Sequence, residues 1–487
     1  MKKKLSQAIA AATLLGAVGA AQAVEVSHGG EGQALLFPYY TIENGNYTAL
    51  HLTNTTDEFK AVKVRFRRST DSADVLDFNL YLSPQDMWTG AVVEGAQGVT
   101  LVSNDTSCIS GMPNGRLPEA GQKFGVQTDA QKGHIEVIEM ASWDEEHARS
   151  AMTQGNVSVY NAVKHVNGEP GNCNAITAAW AQGTGEWAQE YQASVADNAE
   201  SFFTDTTDNL GNTPTGGLYG NAYVINPDAA WASSFAPVAL DNLYTAETGH
   251  NHHAPRYSLP DLHGGDRILT PEEVVIADPE WSELEYTTVL TRYADYVNLQ
   301  NYGMDTFESI VEALSKTSIK SDYTIGGASQ ATTELVVTFP VKYAGSPAGN
   351  VEVGATFYDR EEERVISTPD DWQLSPWLPP AEASPNSLVH ETNVVHLGAE
   401  GDNVEIGEET IFLNSPYEEG WVDIDFVSEL VTSVDGDGAT VVTPTPLENG
   451  VPVIGFTSTL VKNETVLGNG GINTYALNFP LKYTEAE

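Results

Sequence analysis

The chain has 487 residues, of which 67 are Asp or Glu and 23 are Lys or Arg, and its formal net charge is −44 at pH 7. This balance argues against binding to nucleic acid or to anionic lipid, because both require Lys and Arg to neutralise phosphate. The length exceeds the roughly 100–200 residues of an ordinary domain, so two or three domains or one large elaborated domain are expected.

Residues 1–23 have the organisation of a secretory signal peptide. Lys2, Lys3 and Lys4 form a positive segment, the run 8–20 is apolar, and Ala21-Gln22-Ala23 fits the cleavage pattern. A membrane anchor is disfavoured because the apolar run is shorter than the roughly 20 residues that span a bilayer. We therefore predict export of a mature chain beginning at Val24, with no transmembrane segment. The expected location is extracellular or at the cell surface, with the periplasm as the alternative.

Residues 24–165 are predicted to form an N-terminal β-sandwich. Val62, Val64 and Phe66 alternate with Lys63, Arg65 and Arg67, which is typical of a half-buried antiparallel strand. Asn44-Gly45 separates two apolar runs and favours a β-hairpin turn.

Residues 166–330 have a different texture and are predicted to form a helical, loop-rich insertion. Thr270-Pro271-Glu272-Glu273 is a favourable helix start. Phe307, Ile310, Val311 and Leu314 follow the helical i, i+3, i+4, i+7 spacing.

Residues 331–487 return to strand patterns and are predicted to form a second sandwich or the completing sheet of the first. Alternation is clear at Val422, Ile424 and Phe426. Phe339-Pro340 and Phe479-Pro480 lie in similar apolar segments and predict edge strands, since proline cannot donate to a β-ladder. The predicted fold class is mainly β: one or two antiparallel sandwiches, immunoglobulin-like or jelly-roll-like, with the insertion.

Several segments carry a resemblance to a known group of sequences. The runs 32–41, 76–88, 133–140 and 217–226, with Val337-Thr338-Phe339-Pro340 and 452–456, resemble an uncharacterised family of exported proteobacterial proteins labelled cell surface proteins. The resemblance implies export and a surface location, and it carries no activity, ligand or catalytic residue. The stretch 250–285 fits the pattern poorly.

Cys108 and Cys173 are the two cysteines of the chain. In an exported protein two cysteines most simply form a disulfide, which we predict here. The alternative, a reactive thiol or a metal-binding pair, lacks a Cys-x-x-Cys motif or a neighbouring histidine.

Two segments are weak candidates for binding a metal ion. His250, His252, His253 and His263 form a histidine cluster that offers imidazole nitrogens to Zn²⁺ or Cu²⁺, and the alternative is a solvated, mobile polar loop. The string Asp435-Gly436-Asp437-Gly438 resembles part of a calcium loop but lacks the remaining ligands, so a hairpin turn is favoured. No cofactor is predicted, with Ca²⁺ kept as the minority alternative.

Specific catalytic motifs are absent from the sequence. Gly327-Ala328-Ser329-Gln330-Ala331 lacks the second glycine of a nucleophile elbow, and His390-Glu391 has Val394 where a zinc protease needs its second histidine. Glu136 and Glu139 are one of many acid pairs and select no chemistry. Exposed tryptophans stack on sugars, but core packing is the commoner fate of Trp180, Trp187, Trp231, Trp372 and Trp377.

These observations favour a non-enzymatic structural or interaction protein of the cell surface, associating with itself or with other surface components. Two alternatives come from other classes: a secreted hydrolase that uses an acidic pair, and an extracellular module that binds metal or carbohydrate. Function is carried by sites and not by folds, so the sequence does not choose among them.

Overall fold

A computed structural model of the chain describes residues 23–125, 127–190, 209–244, 251–255, 260, 262, 307–327, 330–342, 349–374, 384–399, 404–407, 410–434, 440–463 and 473–486. The mainly β prediction is confirmed: the described residues form two β-sandwiches with few helices, and their strands are antiparallel apart from one parallel pair in the C-terminal sandwich. The signal segment, His250, His263, the predicted helix start at 270–273 and the string 435–438 lie outside the described residues.

The N-terminal sandwich is built from a seven-stranded and a six-stranded sheet. The strands of this part of the chain are β1 (Glu25–Val26), β2 (Ala34–Thr41), β3 (Tyr47–Asn54), β4 (Phe59–Arg68), β5 (Asp74–Leu82), β6 (Met87–Gly95), β7 (Gly98–Val102), β8 (Cys108–Ser110), β9 (Gln122–Lys123), β10 (Lys132–Trp143), β11 (His165–Val166), β12 (Glu169–Pro170), β13 (Leu218–Asn226), β14 (Trp231–Phe235) and β15 (Val238–Asp241). Of these, β11 and β12 form a small separate hairpin. Sheet 1 has the order β1-β15-β2-β10-β4-β5-β8, and sheet 2 has the order β14-β13-β3-β6-β7-β9.

The C-terminal sandwich has its own two sheets, so it is a second sandwich and not the missing half of the first. Its strands are β16 (Ser315–Thr324), β17 (Thr332–Thr338), β18 (Val351–Tyr358), β19 (Arg364–Ile366), β20 (Trp372–Leu374), β21 (Ser387–Leu388), β22 (Thr392–Leu397), β23 (Thr410–Leu413), β24 (Glu419–Val434), β25 (Thr440–Pro446), β26 (Val451–Pro452), β27 (Ile454–Asn463), β28 (Asn473–Pro480) and β29 (Lys482–Glu485). Sheet 3 has the order β19-β18-β24-β16-β26, with β21, β25 and β29 paired at its margins, and sheet 4 has the order β20-β23-β22-β17-β27-β28.

The helices lie between and beside the sandwiches. They are α1 (Glu145–Ser150), α2 (Val159–Val163), α3 (Cys173–Ala179) and α4 (Phe307–Leu314). The helix predicted from the Phe307 to Leu314 spacing is therefore confirmed. Asp144, Ser158 and Asn172 cap the first three helices, each accepting a hydrogen bond from a backbone N–H of the first turn.

The expected insertion over 166–330 is wrong as a single unit. Strands β13 and β14 extend sheet 2, β15 joins sheet 1, and β16 belongs to sheet 3. The range therefore divides between the two sandwiches, and helices α1–α3 lie between β10 and β13 in the chain. The period-two alternation of Leu218–Asn226 places every second side chain in the core, although the segment is rich in glycine and asparagine.

Asn44-Gly45 forms a tight turn but not the predicted hairpin. Asn44 has φ 56°, the left-handed conformation that asparagine tolerates. The two strands it joins lie in different sheets: β2 pairs with β10 and β15, whereas β3 pairs with β6 and β13. Because both edges of β2 are already occupied, the turn carries the chain across the sandwich.

The two sandwiches pack against each other through sheet 4. Strand β17 is buried on both faces: Leu335 and Val337 pack towards sheet 3, and Val336 packs into the N-terminal core. Phe235 stacks on Phe456 with ring centroids 4.5 Å apart, and the Tyr39 hydroxyl donates to the Ile406 carbonyl at 2.6 Å. Phe339-Pro340 follows this interior strand, so its prediction as an edge is wrong, whereas Phe479-Pro480 ends the edge strand β28.

Candidate functional site

The outer face of sheet 3 carries an exposed pair of stacked aromatic rings. Tyr358 of β18 and Trp421 of β24 are direct cross-strand neighbours, with ring centroids 4.0 Å apart and an interplanar angle of 4°. Both residues are partly exposed. We call this pair the aromatic platform.

The local sequence explains why the platform faces outwards. On β24 the side chains of Val422, Ile424 and Phe426 point into the core, so period two sends Trp421 and its acidic successors to the opposite face. Gly420 lets the two strands approach, because a Cβ at this position would lie 1.9 Å from the Tyr358 carbonyl oxygen. A larger residue at 420 would push β24 away from β18 and separate the rings.

A groove runs over the platform and across sheet 3. Two adjoining cavities of about 660 Å³ and 170 Å³ share Asp322 and Trp421 in their walls. The larger cavity reaches Tyr358 and Arg360 at one end, and the smaller one reaches Phe479. The strands β18, β24 and β16 beneath the groove lie about 4.8 Å apart and span roughly 10 Å, and Phe479 of β28 lies beyond them.

Charged side chains line and border the groove. Arg360 contacts Glu419 at 2.7 Å, and Lys320 contacts Asp423 at 3.3 Å. Burial and the neighbouring Asp423 carboxylate raise the pKa of Asp425 to about 6. The groove therefore offers aromatic faces, carboxylate acceptors and cationic donors side by side.

The outer face of sheet 1 also carries charged residues, but they are buried. Arg65 lies 2.9 Å from Asp74 and 3.2 Å from Glu136, and Arg67 lies 2.9 Å from the same Glu136. Lys60 contacts Glu139 at 2.6 Å. Helices α1–α3 with residues 209–217 and 251–255, which together we call the cover, pack over one end of this face. The prediction of half-buried strands is therefore wrong for sheet 1, and the Glu136 and Glu139 carboxylates serve ion pairs.

His252 and His253 belong to the cover and are fully buried. The His252 ring nitrogens lie 2.9 Å from the Tyr81 hydroxyl and 2.9 Å from the Leu210 carbonyl oxygen. Its ring packs among aromatic side chains of Tyr81, Trp143, Trp180 and Trp187. The expectation of a solvated loop is wrong for these two residues, because both are buried and the His252 ring fills an aromatic core.

Metal ligands do not gather in the part of the chain that the structure describes, where no group of three or more His, Cys, Asp or Glu side chains is placed to hold an ion. Of the predicted candidates, His252 and His253 are described and His250 and His263 are not. The Asp435 to Gly438 string is likewise outside the described ranges.

The sulfur atoms of Cys108 and Cys173 lie 2.10 Å apart, at disulfide bonding distance. Cys108 belongs to β8 of sheet 1 and Cys173 to α3 of the cover. The pair therefore ties the cover to the sheet beneath it.

Sequence reasoning missed the platform. Trp180, Trp187, Trp231 and Trp372 are buried as their commoner fate predicts, and Trp377 lies outside the described residues. A signal was present: the alternation that turns Val422, Ile424 and Phe426 inwards also turns Trp421 outwards, next to Asp423 and Asp425. A tryptophan on the polar face of a strand is the unusual observation.

The chain matches no protein-family model, no curated protein and no solved structure. Among the helices of the described ranges, none combines the length and the apolar character needed to span a bilayer.

Proposed function

We propose that this protein is an exported, non-enzymatic binding protein that works outside the cytoplasmic membrane, and that the groove on sheet 3 binds a carbohydrate chain. The observation that carries the proposal is the aromatic platform, two partly exposed parallel rings bordered by charged side chains. Export is supported by the signal-like residues 1–23 and by the resemblance to exported surface proteins.

The chemistry of the groove suits a sugar. The apolar faces of pyranose rings pack on aromatic side chains, while hydroxyl groups donate to carboxylates and accept from Lys and Arg. Asp322 and Phe479 extend these contacts beyond the platform. A shallow cleft with a few polar groups around an apolar floor is the usual form of such a site.

The charge of the protein narrows the class of ligand. The net charge of −44 repels polyanions such as uronic acid polymers or sulfated glycans. Glu419 and Asp423 are paired with Arg360 and Lys320. Asp322, Asp359 and Glu362 also line the groove, so its walls add to the repulsion of a polyanion. We therefore propose a neutral polysaccharide as the ligand.

Binding can be tested with neutral and acidic polysaccharides by affinity electrophoresis and calorimetry in dilute protein solution. We expect the wild-type chain to bind at least one neutral polymer, and Trp421→Ala or Tyr358→Ala to weaken binding about tenfold or more, as loss of one stacking contact implies. Tyr219→Ala is the matched control, since Tyr219 is 38% exposed on the other sandwich. Equal binding by wild type and Trp421→Ala, or no binding to any neutral polymer, would overturn the proposal.

One observation favours a second candidate, a glycoside hydrolase. Asp423 and Asp425 share one face of β24 and are about 7 Å apart along the strand, within the spacing of inverting carboxyl pairs. The raised pKa of Asp425, about 6, is suitable for a general acid. Release of reducing sugar by wild type but not by Asp425→Asn would establish the hydrolase, whereas binding without release supports the non-enzymatic protein.

The location can be tested separately. We expect the mature protein to begin at Val24 by N-terminal sequencing and to be recovered from surface or medium fractions of the producing cell. Recovery of the full-length chain from the cytoplasm would contradict export without bearing on the groove.

A further inference from the structure

The outer face of sheet 2 carries no charged side chain along β14, β13, β3 and the 87–93 part of β6, and the exposed Glu94 follows near the end of β6. On each strand the alternation of buried and less buried residues identifies the outward positions. These outward residues are Tyr47, Ala49, His51, Thr53, Met87, Thr89, Ala91, Val93, Tyr219, Asn221, Tyr223, Ile225, Ala232 and Ser234. We call this surface the neutral face.

The neutral face exposes large apolar groups. Met87 is 52% exposed and Tyr223 is 37% exposed, although monomeric surfaces rarely gather such residues in one patch. His51 lies between Tyr219 and Tyr223, with ring centroids 5.6 Å and 6.3 Å away. Burial lowers the pKa of His51, so its imidazole is uncharged at neutral pH.

The neutral face lacks the acidic residues that dominate the composition of the chain. The chain has 67 acidic against 23 basic residues, so two copies that approach through most of their surface bring like charges together. Asp105, whose carboxylate lies 3.3 Å from the Thr89 backbone nitrogen, contacts the margin of the patch rather than its centre. A second copy therefore meets the least repulsion when it presents the same face.

We propose that the neutral face packs against the neutral face of a second copy, forming a twofold symmetric dimer. Two flat sheets pack face to face about 10 Å apart, and an isologous contact needs only one self-complementary surface. Four strands about seven residues long cover about 450 Å² per copy, or about 900 Å² in total. This area belongs to weak, transient associations rather than to obligate dimers.

The association should depend on salt in the direction opposite to an ion-paired interface. Added salt screens the repulsion between two strongly negative chains, while the apolar contact itself is not weakened. We therefore expect the dimer fraction to rise with ionic strength. The inference is independent of carbohydrate binding, because the groove lies on sheet 3 of the other sandwich.

Sedimentation velocity of the mature chain at micromolar concentrations, in low and in high NaCl, tests the proposal. We expect a concentration-dependent dimer that increases in high NaCl and is lost in Tyr223→Lys. The matched control is Tyr358→Lys, which adds the same charge to sheet 3 and should leave the dimer unchanged. Melting temperatures of both variants establish that each is folded.

Three results would overturn the proposal. The first is a wild-type chain that stays monomeric at every NaCl concentration, and the second is a Tyr223→Lys variant that dimerises as well as wild type. Loss of polysaccharide binding in Tyr223→Lys with no change in sedimentation would instead assign the neutral face to a ligand.

Discussion

The outer faces of sheet 1 and sheet 3 have similar sequence patterns, but the charged residues of one are buried and those of the other are accessible. In both, a strand of alternating residues turns apolar side chains into the sandwich and charged ones away from it. On β4 the outward Lys63, Arg65 and Arg67 are buried, whereas on β24 the outward Trp421 and Asp423 remain accessible. Alternation in a strand therefore predicts which face of the sheet a side chain lies on, but not whether other residues cover that face.

The two outer faces also differ in how their charged groups are paired. On the outer face of sheet 1, Arg65 and Arg67 share the buried Glu136; although burial would raise the pKa of that carboxyl, the two guanidinium groups hold it well below its usual range. On sheet 3 the charged side chains are partly exposed, and partial burial with the neighbouring Asp423 carboxylate raises the pKa of Asp425 to about 6. Buried ions need partners because an unpaired charge in the interior is costly.

The largest effect expected from this contrast is the loss of a buried cation. Arg65→Ala should reduce the free energy of unfolding by about 3–5 kcal/mol, because Asp74 and Glu136 are left buried without it. Lys320→Ala is the matched change on sheet 3 and should cost less than about 1 kcal/mol. Denaturant unfolding measures both, and equal losses would contradict the distinction between the faces.

Removal of the disulfide tests the attachment of the cover. The bond joins residues separated by 65 positions, so Cys108→Ser with Cys173→Ser should cost about 4 kcal/mol by loop entropy. Unreduced wild type should weigh two hydrogens less than the reduced chain by mass spectrometry. Two free thiols in the mature protein would refute the bond.

A third test uses Glu391 at the junction of the sandwiches, where it is 3% exposed. Burial raises the pKa of this carboxyl to about 8, although Lys342 opposes the shift. Because this pKa lies above its unfolded value of 4.5, the protonated carboxyl stabilises the fold at low pH, and the contribution is lost as the pH rises through about 8. We expect a loss of about 2–3 kcal/mol between about pH 6 and about pH 9.

The control for this prediction is Glu391→Gln, which should flatten the decline of melting temperature with pH. Asp74, whose pKa burial raises to about 7, should retain a smaller decline of the same sign. An unchanged pH profile in the glutamine variant would show that Glu391 does not titrate in this range.

The smallest expected effect on stability is that of the platform. Trp421→Ala should change the free energy of unfolding by less than about 1 kcal/mol, because the ring is partly exposed. Trp187→Ala, which empties a fully buried position in the aromatic core under the cover, should cost about 3–5 kcal/mol. A large loss in Trp421→Ala would mean that the platform supports the fold and is not reserved for a ligand.

Much of the fold could be predicted from the sequence. Alternation located β4 and β24, and helical spacing located α4. Pairing could not be predicted, because Asn44-Gly45 specifies a tight turn and does not say whether the flanking strands are neighbours. The predicted domain limits were wrong at residues 218–241, because the glycine and asparagine residues there obscured the strand pattern. The core residues Leu218, Ala222 and Val224 do alternate as a strand requires.

The site was less predictable than the fold. The disulfide could be predicted because the chain has only two cysteines, and the structure brings their sulfur atoms together. The platform required knowledge that β18 lies beside β24, a contact between residues far apart in the chain. We predicted a solvated loop at His252 and His253 because these residues and the preceding Asn251 are polar. In the fold each of the three residues is buried.

The order in which strands are synthesised differs from the order in which they pair. Strand β1 pairs with β15, more than 200 residues later, and β16 pairs with β29, which belongs to the last described segment. Contacts of such high sequence separation form slowly, since long loops must close before any pairing energy is gained. Neither sandwich can complete its sheets until nearly all of its own residues are present. Each sandwich therefore gains its complete structure late, when its first and last strands are both available to pair.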